Sequence, residues 1–492
     1  MSDRTNSREG ETAPEKRQPG LYGSSAPPAS QRRALTNGEL PVAVYGLGKM
    51  GLPLATVYAE TTRNVIGVDV DPGVVQAVSS GECHVGGEPG LADAIETVVA
   101  EDALEATTNG AHAASRARIH VVIVPTLLDD DREPDLATVE SVASDIAAGL
   151  DPGDLVVAES TLPPGTCRDV LRPHLAEQSG LEPDAFGLAF CPERTSSGTA
   201  LRDIRGQYPK VVGGVDEEST RAAALVYGEL SSNDVHRVSD ATTAEAVKVF
   251  EGIYRDVNIG LANELTRACE SFGISVREAI DTANDLPMCD LHDPGPGVGG
   301  HCIPFYPHFV LSRVDSEMPV TRAARAVNES MPAVTVTRLE RALEDEETTL
   351  EDATVAVLGI TYRPGVEETR ASPALGVIEE LADRGATVYG LDPLVDPAAF
   401  GARPLEIDEL PDADVDAAIL VTPHEEFERI DWARLEPTVV VDGRDALDFD
   451  DEAFARHRGY TLGGSRRNDA SASGAAVDGT PIDDTPVDGG GS

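Results

Sequence analysis

Val42-Ala-Val-Tyr-Gly46-Leu-Gly48-Lys-Met-Gly51 constrains the fold of this chain more than any other stretch. Four apolar residues read as a short buried strand. Three glycines in the spacing GxGxxG then impose a tight turn, and Leu54, Ala55, Val57 and Tyr58 follow at helical spacing. A strand that turns this sharply into a helix opens a βαβ unit, and the parallel sheet built from such units needs helices on its faces. The next strand-like run, Val65-Ile-Gly-Val-Asp69, ends in an acid 23 residues after Gly46.

The same alternation continues along the chain. Strands are expected at Val42–Tyr45, Asn64–Val68, His120–Val124, Leu155–Ala158 and Gly187–Phe190, and a proline-free helical pattern runs from Thr243 to Phe272. A second series begins at Thr354–Gly359 and continues through Thr387–Asp392, Ala417–Val421 and Thr438–Val441. The expected fold class is α/β, with two Rossmann-like doubly wound parallel-sheet domains joined by a central long-helix domain. The boundaries read as 39–235 for the first domain, 236–335 for the helices and 336–464 for the second domain. Residues 1–38 and 465–492 are rich in Ser, Gly, Pro and charged or polar residues without apolar period, and are expected to be disordered tails.

Charge narrows the function classes. Eighty-six acidic residues against 39 basic ones give a formal net charge of -47. The acids are spread along the chain, so the surface repels itself at low salt and is screened at molar salt. A salt-rich, halophilic cytoplasm is the simplest setting, and neither nucleic acid nor an anionic membrane is expected as a partner. Six cysteines without CxxC pairs or zinc-ligand spacing read as reduced thiols rather than a disulfide framework, and no metal is expected. There is no signal-peptide pattern and no apolar run of transmembrane length, so a soluble cytoplasmic protein is expected.

The glycine turn, Gly46, Gly48 and Gly51, suits a pyrophosphate laid on a helix N-terminus. A carboxylate at the end of the second strand accepts a ribose 2′-hydroxyl and repels a 2′-phosphate, which favours NAD over NADP. Asp69 fits that place, with Asp71 as the alternative. Thr126 and Thr161 follow expected strands at the sheet edge where ligands bind, and each could equally be a helix cap. Pro294-Gly-Pro-Gly-Val-Gly-Gly-His-Cys302 places one thiol at the end of a loop with four glycines, where backbone can approach a ligand closely. Lys248 is one of only four lysines (Lys16, Lys49, Lys210, Lys248) and lies two turns before Arg255, with residues such as Phe250 expected beside it in the core. A cation there could stabilise an oxyanion or shuttle protons, or could be a snorkelling surface lysine. A hydride acceptor with a nucleophilic thiol suggests oxidation of an alcohol to an aldehyde, capture by Cys302, a second hydride transfer and hydrolysis of the thioester, with two NAD consumed.

From about residue 41 to 464 the chain resembles the UDP-glucose/GDP-mannose dehydrogenase family. The resemblance rests on Gly46–Gly51, Val124-Pro-Thr126, Pro134-Asp-Leu136, Glu159-Ser-Thr161, Pro164-Gly-Thr166, Cys191-Pro-Glu-Arg194, Lys248, Tyr254–Asn258, Asn263-Glu264, the Cys302 loop, Tyr362-Arg-Pro364 and Thr369–Pro373 in the family's order. It implies an enzyme with Cys302 as nucleophile and Lys248 as catalytic lysine. Around NAD it implies Met50, Asp69, Thr126, Thr161 and Arg370, with the three glycines. For the nucleotide sugar it implies Arg194, Thr195, Lys248, Arg255, Gly299, Tyr362, Arg363 and Arg444. It further implies that the long helix pairs subunits as a homodimer or larger homo-oligomer.

Pro192-Glu-Arg194 with Gly-Gly-His-Cys is more like enzymes of UDP-N-acetylhexosamines, UDP-N-acetylmannosamine above all, than the UDP-glucose branch, whose second glutamate of that motif is Ser197 here. UDP-glucose and UDP-N-acetylglucosamine stand as alternative substrates. The asparagine usual one turn after the lysine is Gly252, and the aspartate usual four residues after the cysteine is Tyr306. Leu286 and Met288 replace polar substrate contacts of some bacterial relatives. These losses keep open a sensor that binds nucleotide sugar without turning it over.

Overall fold

Strands form where apolar runs are sealed on both faces, and the burial is explicit in the first of them. In β1 (Val42–Tyr45) all four residues are buried, Val42 and Val44 in the core on one side of the sheet and Ala43 and Tyr45 in the core on the other. The computed structural model describes residues 20–196 and 198–464. The expectations of tails at 1–19 and 465–492, and the comparison at Ser197, lie outside them.

The chain separates into two compact units, one of residues 1–254 with 305–319 and one of residues 255–304 with 320–492. The segment read as a central domain, 236–335, is divided between them. In the first unit, β2 (Val65–Val68), β3 (Leu104–Thr107) and β4 (Ile119–Val122) join β1; Leu127–Leu128 (β5) and Pro134–Asp135 (β6) form a separate antiparallel pair. The sheet is completed by β7 (Leu155–Ala158), β8 (Gly187–Phe190), β9 (Lys210–Gly214) and β10 (Val235–Arg237). Its order is β10-β9-β8-β7-β4-β1-β2-β3, parallel except where β8 meets β9. The order reverses direction between β1 and β4, and their carboxyl ends are the edge at which a ligand sits in such a sheet.

The second unit carries β11 (Thr354–Leu358), β12 (Thr387–Leu391), β13 (Arg403–Pro404), β14 (Ala417–Leu420), β15 (Val439–Asp442) and β16 (Arg458–Thr461), ordered β13-β12-β11-β14-β15-β16 and parallel throughout. Two Rossmann-like sheet domains are thus linked by a long-helix region, whose helix Ala241–Phe272 extends the expected one by two residues at its start.

One boundary is corrected. Residues 20–38, read as part of a tail, belong to the first unit, with a helix at Pro28–Thr36. Leu21 and Leu35 are fully buried in its core, Arg221 donates to the Leu21 carbonyl at 2.8 Å and to Gln31 at 3.0 Å, and the Tyr22 hydroxyl donates to Asp216. Composition missed this because only a few apolar anchors carry the segment; the rest of its hold is hydrogen bonding to residues distant in sequence.

Candidate active site

In the first unit the glycine turn is shaped by contact with its own backbone. Gly46 has φ +99°, and a Cβ there would stand 2.4 Å from the Ile123 carbonyl oxygen. A Cβ on Gly51 would stand 2.0 Å from the Gly46 carbonyl oxygen, whereas nothing lies within 4 Å of one on Gly48. The turn is therefore closed on its inner side and open at Gly48, where a diphosphate can approach. Asp69 follows β2 and is half-buried; its carboxylate accepts from Leu47 N at 2.9 Å and from Asp71 N at 3.0 Å. Asp71 caps the helix Pro72–Ser79 by accepting from Gly73 N, so its carboxylate has a structural task of its own. The Thr126 hydroxyl oxygen is buried and has no hydrogen-bond partner among the described residues. The open turn, the strand-end carboxylate and this unused hydroxyl fit NAD.

Lys248 lies on the long helix and is 8% exposed. Its ammonium donates to the Glu193 carbonyl and stands 3.6 Å from the Glu193 carboxylate, which also accepts from Thr195 N. Thr195 in turn donates to the Met50 sulfur at 3.1 Å. Arg194 pairs with Glu251 at 3.2 Å and donates to the Pro209 carbonyl. The structure thus joins Met50, Thr195 and Lys248 through Glu193, a residue inside a quoted motif to which sequence reading assigned no role. Thr161 shares a 3.2 Å hydrogen bond with the Tyr306 hydroxyl. The expectation of a core Phe250 beside the lysine is wrong: Phe250 is 57% exposed, because it falls on another side of the helix.

Behind this edge, Glu159 at the end of β7 is fully buried and accepts from the Tyr227 hydroxyl at 2.5 Å. Burial pushes its carboxyl up to about 7, against the pull of Lys210 and of the Tyr227 hydrogen bond. Lys210 is itself buried, with its ammonium 6.0 Å from the Tyr227 ring centroid. Two of the three described lysines are therefore buried, which makes the scarcity of lysine a usable sequence signal.

In the second unit the cysteine loop is held by its neighbours on every side. A Cβ on Gly295 would stand 2.3 Å from an Arg444 nitrogen, and one on Gly299 would stand 2.7 Å from the Tyr362 Cβ. Gly300 N donates to the Arg370 carbonyl at 2.9 Å, and His301 stands 2.8 Å from the Glu368 carboxylate. Gly295 N donates to Asn263, Asn263 to Asn328, and Asn328 to Asp256, which also accepts from Arg325 at 2.6 Å. This buried chain fixes the start of the loop to two helices, and Cys302 at its end is exposed. Arg277 donates to the Pro294 carbonyl and pairs with Asp293 at 3.2 Å. Arg444 donates to the Val421 carbonyl, and burial together with the nearby Arg277 brings its guanidinium down to about 10. Sequence reading missed Arg277, which carries no motif around it.

Gly299, Tyr362, Arg370 and Arg444 are thus gathered on the Cys302 loop, while Arg255 and Arg363 are exposed. Burial pushes the Tyr362 phenol upward, so it stays a neutral donor. Arginines suit diphosphate recognition because the planar fork pairs two oxygens at once.

Three family models match consecutive parts of the chain: the NAD binding domain of the UDP-glucose/GDP-mannose dehydrogenase family at 40–231, its central domain at 242–330 and its UDP binding domain at 356–449. The chain belongs to that family. It is accordingly an NAD-dependent nucleotide-sugar dehydrogenase, and NAD is its cofactor. An NDP-N-acetyl-D-galactosaminuronic acid dehydrogenase of Ralstonia nicotianae is 34% identical over 414 residues, 82% of this chain and 95% of that one. A UDP-N-acetyl-D-mannosamine dehydrogenase of Pyrococcus horikoshii is 33% identical over 411 residues, covering 82% and 96%. The solved UDP-D-ManNAc dehydrogenase from Pyrococcus horikoshii superposes with a TM-score of 0.78 at 32% identity, covering 86% of this chain and 99% of that one. Among the described residues no helix is long and apolar enough to cross a membrane.

Proposed function

We propose that the chain oxidises the C6 hydroxyl of UDP-N-acetyl-D-mannosamine to the uronate by four electrons, with Cys302 as covalent nucleophile and Lys248 as the charge that steadies the oxyanions. The observation that carries this reading is the exposed Cys302 thiol at the end of a loop on which Tyr362 and Arg444 converge. NAD, when bound, accepts a hydride in each of two oxidations. The alcohol loses a hydride and a proton to become an aldehyde, and the Cys302 thiolate adds to that carbon to give a thiohemiacetal. Loss of a second hydride and a proton leaves a thioester on Cys302; water cleaves it to the carboxylate and returns the thiol. Lys248, buried and 3.6 Å from the Glu193 carboxylate, is the cation to which this stabilising role falls.

N-acetylhexosamine substrates are supported over UDP-glucose by Pro192-Glu-Arg194 and by what the relatives named above act on. For Asp69, Thr126, Thr161 and Arg370 the role is to bind the coenzyme; for Arg194, Thr195, Arg255, Gly299, Tyr362, Arg363 and Arg444 it is to bind the nucleotide sugar. A homodimer is supported by the long helix, where Phe250, Tyr254, Leu261 and Phe272 share one face and are each 46–71% exposed. The acidic composition supports a salt-rich cytoplasm.

The test is turnover in molar salt with NAD and a panel of UDP-sugars, counting NADH per sugar. Two NADH and a uronate with UDP-N-acetylmannosamine are expected; binding without turnover for every sugar identifies a sensor instead. Cys302→Ala should abolish uronate formation, at least 10⁴-fold on the scale of lost nucleophiles, and leave NAD affinity unchanged. An unaltered uronate yield would rule out the covalent route.

A further inference from the structure

Gly252 and Tyr306, the two departures from the family's usual pattern beside the lysine and the cysteine, meet in the first unit. Gly252 is buried one turn beyond Lys248, and a Cβ there would stand 2.1 Å from Cδ2 and 2.9 Å from Cγ of Tyr306. Glycine at 252 is thus the vacancy that the Tyr306 ring fills. The ring is 6% exposed and packs in an apolar cluster with Val249, Phe309 and Val310. Phenylalanine would satisfy that packing equally well, so the hydroxyl needs another reason.

The hydroxyl reaches out of the cluster to the Thr161 hydroxyl, 3.2 Å away, just past the carboxyl end of β7. The ring centroid stands 5.8 Å from the Lys248 ammonium, inside the range at which an aromatic face attracts a cation. One side chain therefore touches both the coenzyme edge of the sheet and the buried lysine. A phenol donating to Thr161 leaves that hydroxyl's own proton free to point at an acceptor. An aromatic face steadies an ammonium without competing for its proton, while the Glu193 carboxylate pairs with it at 3.6 Å.

We propose that Tyr306 is a positioning residue for the oxidation. Its hydroxyl orients Thr161 toward bound NAD and its ring holds Lys248, replacing with one side chain the amide and the carboxylate that the usual pattern places at 252 and 306. The lysine's part in this rests on the function proposed above.

Tyr306→Phe keeps the ring and removes the hydroxyl. Titration calorimetry with NAD⁺ should show Kd raised about two- to tenfold, the range of one hydrogen bond, with the melting midpoint unchanged; an unchanged Kd overturns the hydroxyl's role. Tyr306→Leu should match the phenylalanine variant in NAD⁺ affinity but lose about a further tenfold in kcat at saturating substrates, on the scale of a desolvated cation–ring contact; equal kcat in the two variants overturns the ring's role. Gly252→Asn should be severely impaired by collision with the ring, and Gly252→Asn with Tyr306→Asp should recover at least tenfold of the lost kcat. A double variant no better than Gly252→Asn alone would overturn the replacement. The calorimetric arm needs no turnover, so failure of the proposed oxidation and failure of the Tyr306–Thr161 link register in different measurements.

Discussion

Asp69 and Asp392 occupy the same place in their two sheets and have opposite surroundings. Each follows the strand paired in parallel with a strand that runs directly into a glycine, β2 beside β1 and Gly46, β12 beside β11 and Gly359. Each accepts from the backbone just after that glycine. Asp69 takes Leu47 N and is half-buried beside the open turn at Gly48. The Asp392 carboxylate is fully buried and saturated: it accepts from Ile360 N at 2.7 Å, Thr361 N at 2.8 Å and Leu394 N at 2.8 Å, with His424 3.3 Å away. Burial alone would raise it, but the hydrogen bonds from His424 and these backbone groups outweigh that and bring it down to about 2. One topological position is thus left open in the first sheet and is occupied by the protein's own loop in the second. The fold supplies the crevice, and the residues after the glycine determine whether it stays open.

The comparison breaks most visibly if Asp392 proves to be a ligand site. Asp392→Ala leaves four backbone N–H groups, those of Ile360, Thr361, Leu394 and Val395, and His424 without this acceptor, which should cost the second unit about 3 kcal/mol. Hydrogen exchange should show the loss in peptides of residues 354–461, with NAD affinity unaltered. The two units should also respond to pH with opposite sign. Asp392 is depressed when folded, so its contribution is present above about pH 4 and is lost as pH falls toward 2. Glu159 is raised when folded, so its neutral form stabilises the first unit at low pH, and that contribution is lost as pH climbs from about 4.5 through 7. Amide protection in the first unit should therefore decline from pH 5 to pH 8 by up to about 3 kcal/mol, and Glu159→Gln should flatten that slope.

Smaller effects sharpen the open side of the comparison. Asp69→Ala should raise the Kd for NAD about tenfold, roughly 1.4 kcal/mol, without altering exchange in either sheet. Thr126→Val should raise that Kd by about two- to fivefold, consistent with one lost hydrogen bond. It should also leave the ligand-free protein as stable or slightly more so, because the hydroxyl it removes is buried without a partner among the described residues. A melting midpoint that falls would mean the hydroxyl is satisfied in the free protein.

Legibility in the sequence follows how locally each feature is encoded. β1, β7 and β8 were read to the residue because each is a continuous apolar run. β3, Leu-Glu-Ala-Thr at the sheet edge, and β9, Lys-Val-Val-Gly-Gly, were not, since one is half polar and the other ends in residues that disfavour strands. The lysine, the cysteine and the glycine turn were legible as rare residue types in constrained settings. Glu193, Arg277 and the Asn263–Asn328–Asp256 chain were not assigned, for their significance lies in which distant atoms they meet.

By itself the sequence determined two sheets of mainly parallel strands, a dinucleotide turn and a thiol in a glycine loop, because local pattern and backbone freedom encode these within a few residues. Only the tertiary structure decided that the vacancy at Gly252 is filled by Tyr306, that Asp392 is closed off while Asp69 stays open, and that residues 20–38 pack as part of a domain. Those outcomes depend on contacts between residues far apart in the chain, whose energies no local window contains.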